Sequence, residues 1–232
     1  MPAPLYYTKY PLHIALSQEV VNKPRRGWNE TDPKFRHRAV MALFTDIDSG
    51  TPRKDLEILF RTDYLPGQPP FFLIQSNIAP EHLPLGVETI ERNQPEYAPG
   101  TPIRFRLSIN AIRRKTTSDP ATPDKSRIIT APVPFDTNSD SSQNSPESTT
   151  ITPWLCNKFS GVLDDVTILN HQRELLGVDR NGHATSSLTV QVDTIDGVAT
   201  VTDGKLLNDT IRHGIGRAKS YGCGLLSVQE LQ

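Results

Sequence analysis

Pro102-Ile-Arg-Phe-Arg-Leu-Ser-Ile-Asn-Ala-Ile112 is the clearest strand in this sequence. Ile103, Phe105, Leu107, Ile109 and Ala111 alternate with Arg104, Arg106, Ser108 and Asn110. That two-residue period predicts a strand with one face in a core and the other cationic and polar. Upstream, Leu5 to Leu16 alternates loosely, with aromatic and β-branched residues, and reads as a first strand. Asp32-Pro33 predicts a helix start, because Asp can cap an open helix end and proline fits the first helical position. The helix is expected to reach about Phe44. Phe35, Ala39, Val40, Leu43 and Phe44 would share one side, with Lys34, Arg38, Met41 and Thr45 opposite and His37 at the border. Glu57–Arg61 and Phe71–Gln75 read as two strands around a Pro/Gly turn, and residues 79–98 as a short helix or loop. With 102–112 as its last strand, this order, βαββ(α)β, is that of a ferredoxin-like unit.

Downstream, residues 116–150 are rich in Ser, Thr, Asp, Asn and Pro and read as a partly disordered connection with one short strand near Arg127–Val133. Thr152-Pro-Trp opens a second helix, and Val166–Leu169 reads as strand. Gly177-Val-Asp-Arg-Asn-Gly182 has hairpin-turn chemistry. Leu188–Ile195 and Val198–Thr202 are predicted strands around an Asp-Gly turn at 196–197. A helix over Asp203–His213 and a strand over Leu225–Val228 follow. The expected fold class is α+β, with two tandem ferredoxin-like (RRM-like) βαββαβ domains. They cover residues 1–115 and 151–232, joined by the 116–150 connection.

The last helix and strand are joined by Gly214-Ile-Gly-Arg-Ala-Lys-Ser-Tyr-Gly-Cys-Gly-Leu-Leu226, with four glycines and the cations Arg217 and Lys219. Glycine permits φ > 0 and close backbone approach, and successive N–H groups in such turns form anion-binding concavities. Two cations in the same loop point to phosphate. It is not a Walker loop, since no Gly-Lys-Ser/Thr follows and the next element reads as a strand. The plainer alternative is a tight helix-to-strand connection.

The net charge of −1 over 232 residues excludes a uniformly basic body. Residues 116–150 carry Asp119, Asp124, Asp136, Asp140 and Glu147 against Lys125 and Arg127, so the remainder is still nearly neutral. Any nucleic-acid surface is therefore a local patch. Cys156 and Cys223, the two cysteines, form neither a disulfide framework nor a metal knuckle. No signal peptide or membrane-spanning run is apparent, so a soluble, cytoplasmic protein without membrane contact is expected.

Arg212-His-Gly-Ile-Gly-Arg-Ala-Lys-Ser-Tyr-Gly-Cys-Gly-Leu-Leu-Ser-Val228 resembles the C-terminal glycine-rich loop of the CasE family, the repeat-RNA endonucleases of type I-E CRISPR systems. Pro33–Phe44, Ile103–Arg114 and Trp154–Gly161 are similar to that family's further blocks and fall in its order, so the likeness spans nearly the whole chain. The resemblance implies cleavage of precursor CRISPR RNA at the base of a repeat hairpin, leaving a 2′,3′-cyclic phosphate and a 5′-OH. It also implies retention of the crRNA and membership of the interference complex, whose other subunits are the implied protein partners.

The residues fit such chemistry in part. No His-x-Glu, Cys-x-x-Cys or Asp cluster of EF-hand spacing suggests a metal site, and no cofactor motif is apparent. Metal-free acid–base chemistry remains, for which histidine is the usual choice. Cleavage of RNA in that manner needs in-line 2′-OH attack, a base, an acid and cations on the phosphoryl oxygens. Of six histidines, only His37 sits at a helix polar border with Lys34 and Arg38 within a turn. By resemblance His37 is the general acid or base. The family's usual tyrosine three residues earlier is Lys34 here, which could stabilise the phosphorane or donate a proton.

Backbone-binding candidates are Arg38, Gly214, Gly216, Arg217 and Lys219, then Arg104, Arg106, Arg113, Arg114 and Lys115; the resemblance adds Arg127 and Arg180. Two other readings remain: a ferredoxin-like RNA-binding subunit without cleavage, and a small-molecule enzyme whose glycine loop takes a phosphate ester.

Overall fold

A computed structural model describes residues 3–17, 29–44, 52–119, 122–136, 149–179 and 181–231, with backbone alone at 52, 115–119 and 122–128. The first half contains β1 (Leu5–Pro11), α1 (Leu12–Ser17), α2 (Pro33–Met41), α3 (Pro52–Asp55), β2 (Leu59–Asp63), β3 (Phe71–Ser76) and β4 (Glu88–Arg92). Then come β5 (Pro102–Ile109), β6 (Ile112–Asp119), β7 (Thr122–Pro132), α4 (Ile151–Phe159), β8 (Leu163–Leu176), β9 (Val190–Val201), α5 (Gly204–His213) and β10 (Leu226–Glu230). One antiparallel sheet has the order β2-β3-β1-β4 and the other β10-β5-β9-β8. In both, the unit's first strand is flanked by its last and third, the ferredoxin-like arrangement. Two such units make up the chain. β6 and β7 form a separate hairpin inserted between β5 and α4.

The alternation at 102–112 marks a strand, but its partners differ from those expected. β5 pairs with β9 (Phe105 opposite Gly197) and with β10 (Phe105 opposite Val228), so it opens the second unit instead of closing the first. The passage between units falls between Arg92 and Pro102, and not at residue 115. The first sheet's fourth strand is β4, inside the segment expected to be helix or loop. Glu88-Thr-Ile-Glu-Arg92 has one apolar residue, Ile90, and that residue is exposed at a sheet edge. With no buried face there is no alternation to read. Residues 77–87 form no helix.

Two further corrections concern the second unit. Asp196-Gly197 is not a turn but the middle of β9, a single strand of 12 residues facing the 14 residues of β8. A Cβ at Gly197 would lie 2.5 Å from the Phe105 ring and 2.6 Å from the Thr167 carbonyl. Glycine is there because the Phe105 ring lies across the strand. The single strand expected within 116–150 is one arm of the β6–β7 ladder, which runs Ile112 opposite Pro132 to Asp119 opposite Thr122. The rest of that stretch, residues 137–148, lies outside the described residues.

Each sheet buries one face under helices. Under α2, Phe35, Ala39 and Val40 meet Phe60, Phe72 and Ile74; the Phe60 and Phe72 rings pack edge-on at 5.8 Å. Leu43 and Phe44 are buried as expected, although the helix ends at Met41. Under α4 and α5, Phe105 meets Phe159 edge-on at 5.4 Å. On the opposite sheet faces a chain of ion pairs joins the units. Arg61 donates to Asp63 at 2.8 Å and to Ser227 at 2.7 Å, and Arg106 reaches Asp63 at 3.4 Å while holding Asp196 at 2.6 and 3.0 Å.

Gly197→Ala is expected to overpack this crossing and remove about 1–3 kcal/mol of stability. The change would be read as a lower denaturant midpoint at unchanged slope.

Candidate active site

Helix α2 begins as its sequence predicts: Asp32 accepts a hydrogen bond from the Lys34 backbone N–H at 2.9 Å, and Pro33 stands at the first position. The helix is then fastened to the second unit. Arg36, only 1% exposed, donates to Glu174 of β8 at 2.7 Å and to the Glu30 carbonyl at 3.1 Å. The Gly177 N–H donates to the Thr31 carbonyl at 2.8 Å. One residue on from Arg36, this leaves His37 at the seam, its ring 6.4 Å from that of Tyr221 in a T-shaped contact. Lys34 lies on the exposed face and donates to the Ser187 hydroxyl at 2.9 Å, across the same seam.

The other wall is the glycine loop. Gly214 ends α5 at φ +72°, where an added Cβ would meet the Gly224 carbonyl at 2.7 Å and Leu59 at 2.8 Å. Glycine is required on two counts, conformation and space. The loop returns through the Ile215 N–H to Gly224 carbonyl bond at 3.0 Å, with a single 3-10 turn at Lys219–Tyr221. Tyr221 packs on a small cluster of Leu176, Val190, Val192 and Cys223 while its edge meets His37.

Burial lowers the His37 pKa below its ordinary value of 6.5, and the charges of Arg53 and Arg38 lower it further; the Ser220 backbone opposes them. His37 is therefore neutral at neutral pH, the state a general base needs. Its Nδ1 is buried with no hydrogen-bond partner among the described residues, the kind of orphan that functional sites retain. Arg53, on α3, donates to the Ile58 carbonyl at 2.9 Å. Lys219 is also depressed, first by burial and then by Arg53.

The remaining candidates scatter. Lys219 commits its ammonium to the carbonyls of His213 (2.7 Å) and Gly214 (3.0 Å), closing the C-terminus of α5. Arg106 is committed to Asp196 and Asp63 between the sheets, and Arg104 lines that cleft with Arg92. Arg113, Arg114, Arg217 and Gly216 come together around a separate cavity. Arg38 is exposed on α2. Arg127 lies on β7 and is described by its backbone alone, as is Lys115 on β6. Arg180 lies outside the described residues. The Gly182 N–H donates to the Asp179 carbonyl at 3.0 Å. His171 and Arg173, on β8, are committed inward, to Asp193 at 2.8 and 2.7 Å.

A family model described as CRISPR associated protein matches residues 6–230. The CRISPR system Cascade subunit CasE of Escherichia coli K12 is 28% identical over 134 residues, 57% of this chain. The chain spans 60% of the length of that relative. The crystal structure of Cas6e from Escherichia coli K-12 superposes with a TM-score of 0.61 at 22% identity, over 98% of this chain and 100% of that one. Thermus thermophilus Cse3, bound to an RNA representing a pre-cleavage complex, gives 0.60 at 23% identity over 97% and 99%. The chain belongs to this family of CRISPR-associated proteins.

Against the CasE pattern, residue type and helix border single out His37. Arg53 carries no such mark, because Arg53-Lys-Asp55 looks like any solvated charge run. Only the fold brings its charge to bear on His37. Arg53→Gln is expected to raise the His37 pKa, since removing a positive neighbour favours the imidazolium. An NMR titration of His37 in both proteins checks this: wild type should titrate below 6.5 and the variant closer to it.

Proposed function

We propose that this chain is a metal-independent endoribonuclease that cleaves CRISPR precursor RNA within the repeat hairpin and retains the crRNA as a subunit of the interference complex. The observation that carries the reading is the half-buried, neutral His37 set between α2 and the glycine loop, with Arg53, Arg38 and Lys219 acting on the same seam. The names of the relatives supply the RNA and the Cascade assembly.

In this reading the scissile phosphate enters the seam and the neutral His37 imidazole takes the proton of the adjacent 2′-OH. The 2′-oxygen attacks phosphorus in line, and the 5′-oxygen leaves with a proton returned to it. The products are a 2′,3′-cyclic phosphate and a 5′-OH. Negative charge grows on the phosphoryl oxygens, and fixed cations in a partly dry site stabilise it more than water does. Lys34, one turn before His37 and held by Ser187, supplies one of those cations where the family's tyrosine would stand. The Lys34 substitution is also the specific ground for a second reading, an RNA-binding subunit that does not cut.

Single-turnover cleavage of a repeat hairpin in EDTA tests both. Wild type should cut. His37→Ala should lose about 10²–10⁴-fold, roughly 3–5 kcal/mol of transition-state stabilisation, with hairpin affinity kept within a few-fold. A hairpin with a single 2′-deoxy at the scissile position should bind and stay intact. Undiminished cleavage by His37→Ala would contradict the mechanism, and wild type that binds without cutting would establish the second reading.

A further inference from the structure

Beyond the seam, the same glycine loop borders a second cavity. It measures about 200 Å³ and lies between the loop, the root of the β6–β7 hairpin and α4. Arg217 and Gly216 line it from the loop, Arg113 and Arg114 from β6, and Trp154 and Lys158 from α4. Arg114, Lys158 and Arg217 are exposed. The Lys158 ammonium rests 5.3 Å from the centre of the Trp154 indole, so a cation–π contact holds it at the rim instead of leaving it to swing in solvent. Trp154 is itself packed against the second core, which makes the indole a fixed platform.

Among the described residues, no carboxylate lines this cavity. The contrast with the cleft between the sheets is direct: there Asp63 and Asp196 lie among the arginines and neutralise them. Like charges gathered on a shared concavity repel one another and destabilise the fold unless an anion occupies it. Opposed cations with a backbone concavity at Gly216 suit a phosphodiester. Arg217 and Tyr221 are four residues apart, which limits their separation to about 14 Å. An anion held here therefore lies within a few nucleotides of a phosphate at His37.

We propose that this cavity is a second phosphate subsite, which grips the RNA backbone near the scissile position through Lys158, Arg114 and Arg217. The inference rests on RNA being the substrate. It adds α4 to the RNA-contacting surface.

The test measures binding of the repeat hairpin carrying a single 2′-deoxy at the scissile position, over a range of salt concentrations, with the full chain. Lys158→Ala and Arg217→Ala should each weaken binding and lower the slope of log K against log salt by about 0.7–0.9, one phosphate contact. Lys205→Ala, an exposed cation on α5 away from the cavity, should leave the slope as in wild type. Slopes unchanged in both cavity variants, with wild type binding tightly, would overturn the subsite and leave the nuclease reading standing. Wild type that fails to bind repeat RNA would overturn both.

Discussion

The two units can share a site because the chain between α5 and β10 passes through a gap too narrow for a side chain. At Gly214 an added Cβ would meet Leu59 at 2.8 Å, and at Gly224 it would meet Lys219 at 2.9 Å and the Ile215 carbonyl at 3.0 Å. Both residues also hold φ values above +70°, which other residues adopt only with strain. With the backbone this close to β2, the Lys219–Tyr221 turn lies against α2 and Tyr221 meets His37. Widening the gap by one methyl group would move the loop away from the histidine. The glycines thus serve the site through packing first.

The facing of the sheets decides which surfaces are left open to a ligand. RRM-type units commonly stack bases on the open face of the sheet. Here the open faces look at each other, and Arg61, Asp63, Arg106 and Asp196 fill the space between them with ion pairs. Arg36 and Glu174 fasten α2 across the same boundary. Buried Asp193 ties the base of the hairpin to β8 and β9. Burial alone would push its carboxyl up, but hydrogen bonds from His171, Gln191 and Arg173 hold it below the ordinary carboxylate range. Among the cations that face outward are Arg217 of the glycine loop, Arg114 of β6 and Lys158 of α4.

Signals local to a few residues were legible in the sequence. Asp32-Pro33 and Asp203 start α2 and α5 as their chemistry predicts, and the alternation of Pro102–Ile112 marks a strand with a cationic face. Alternation reports which face is buried and says nothing of which strands lie alongside. That is why β5 was expected in the first unit. The same limit applies to Arg106, whose cation reads as a ligand-binding group until Asp196 is seen opposite it in β9. Gly197 reads as a turn beside Asp196 because the Phe105 ring that requires it lies 92 positions away. Of the candidate site, the place of His37 at the polar border of α2 was legible from spacing, while its role came from the family resemblance. Arg36 was not, because a buried arginine on the core side of a helix has no periodic signature without its partner Glu174.

The central claim is that RNA is cut at the seam between α2 and the glycine loop, and not on the sheet faces. Photo-crosslinking tests it most directly, with a repeat hairpin that carries a 2′-deoxy and a photoreactive base at the scissile nucleotide. The account predicts cross-links to the peptides holding Lys34–Arg38 and Lys219–Tyr221. Cross-links confined to the cleft of Arg61, Arg106 and Asn170 would contradict it.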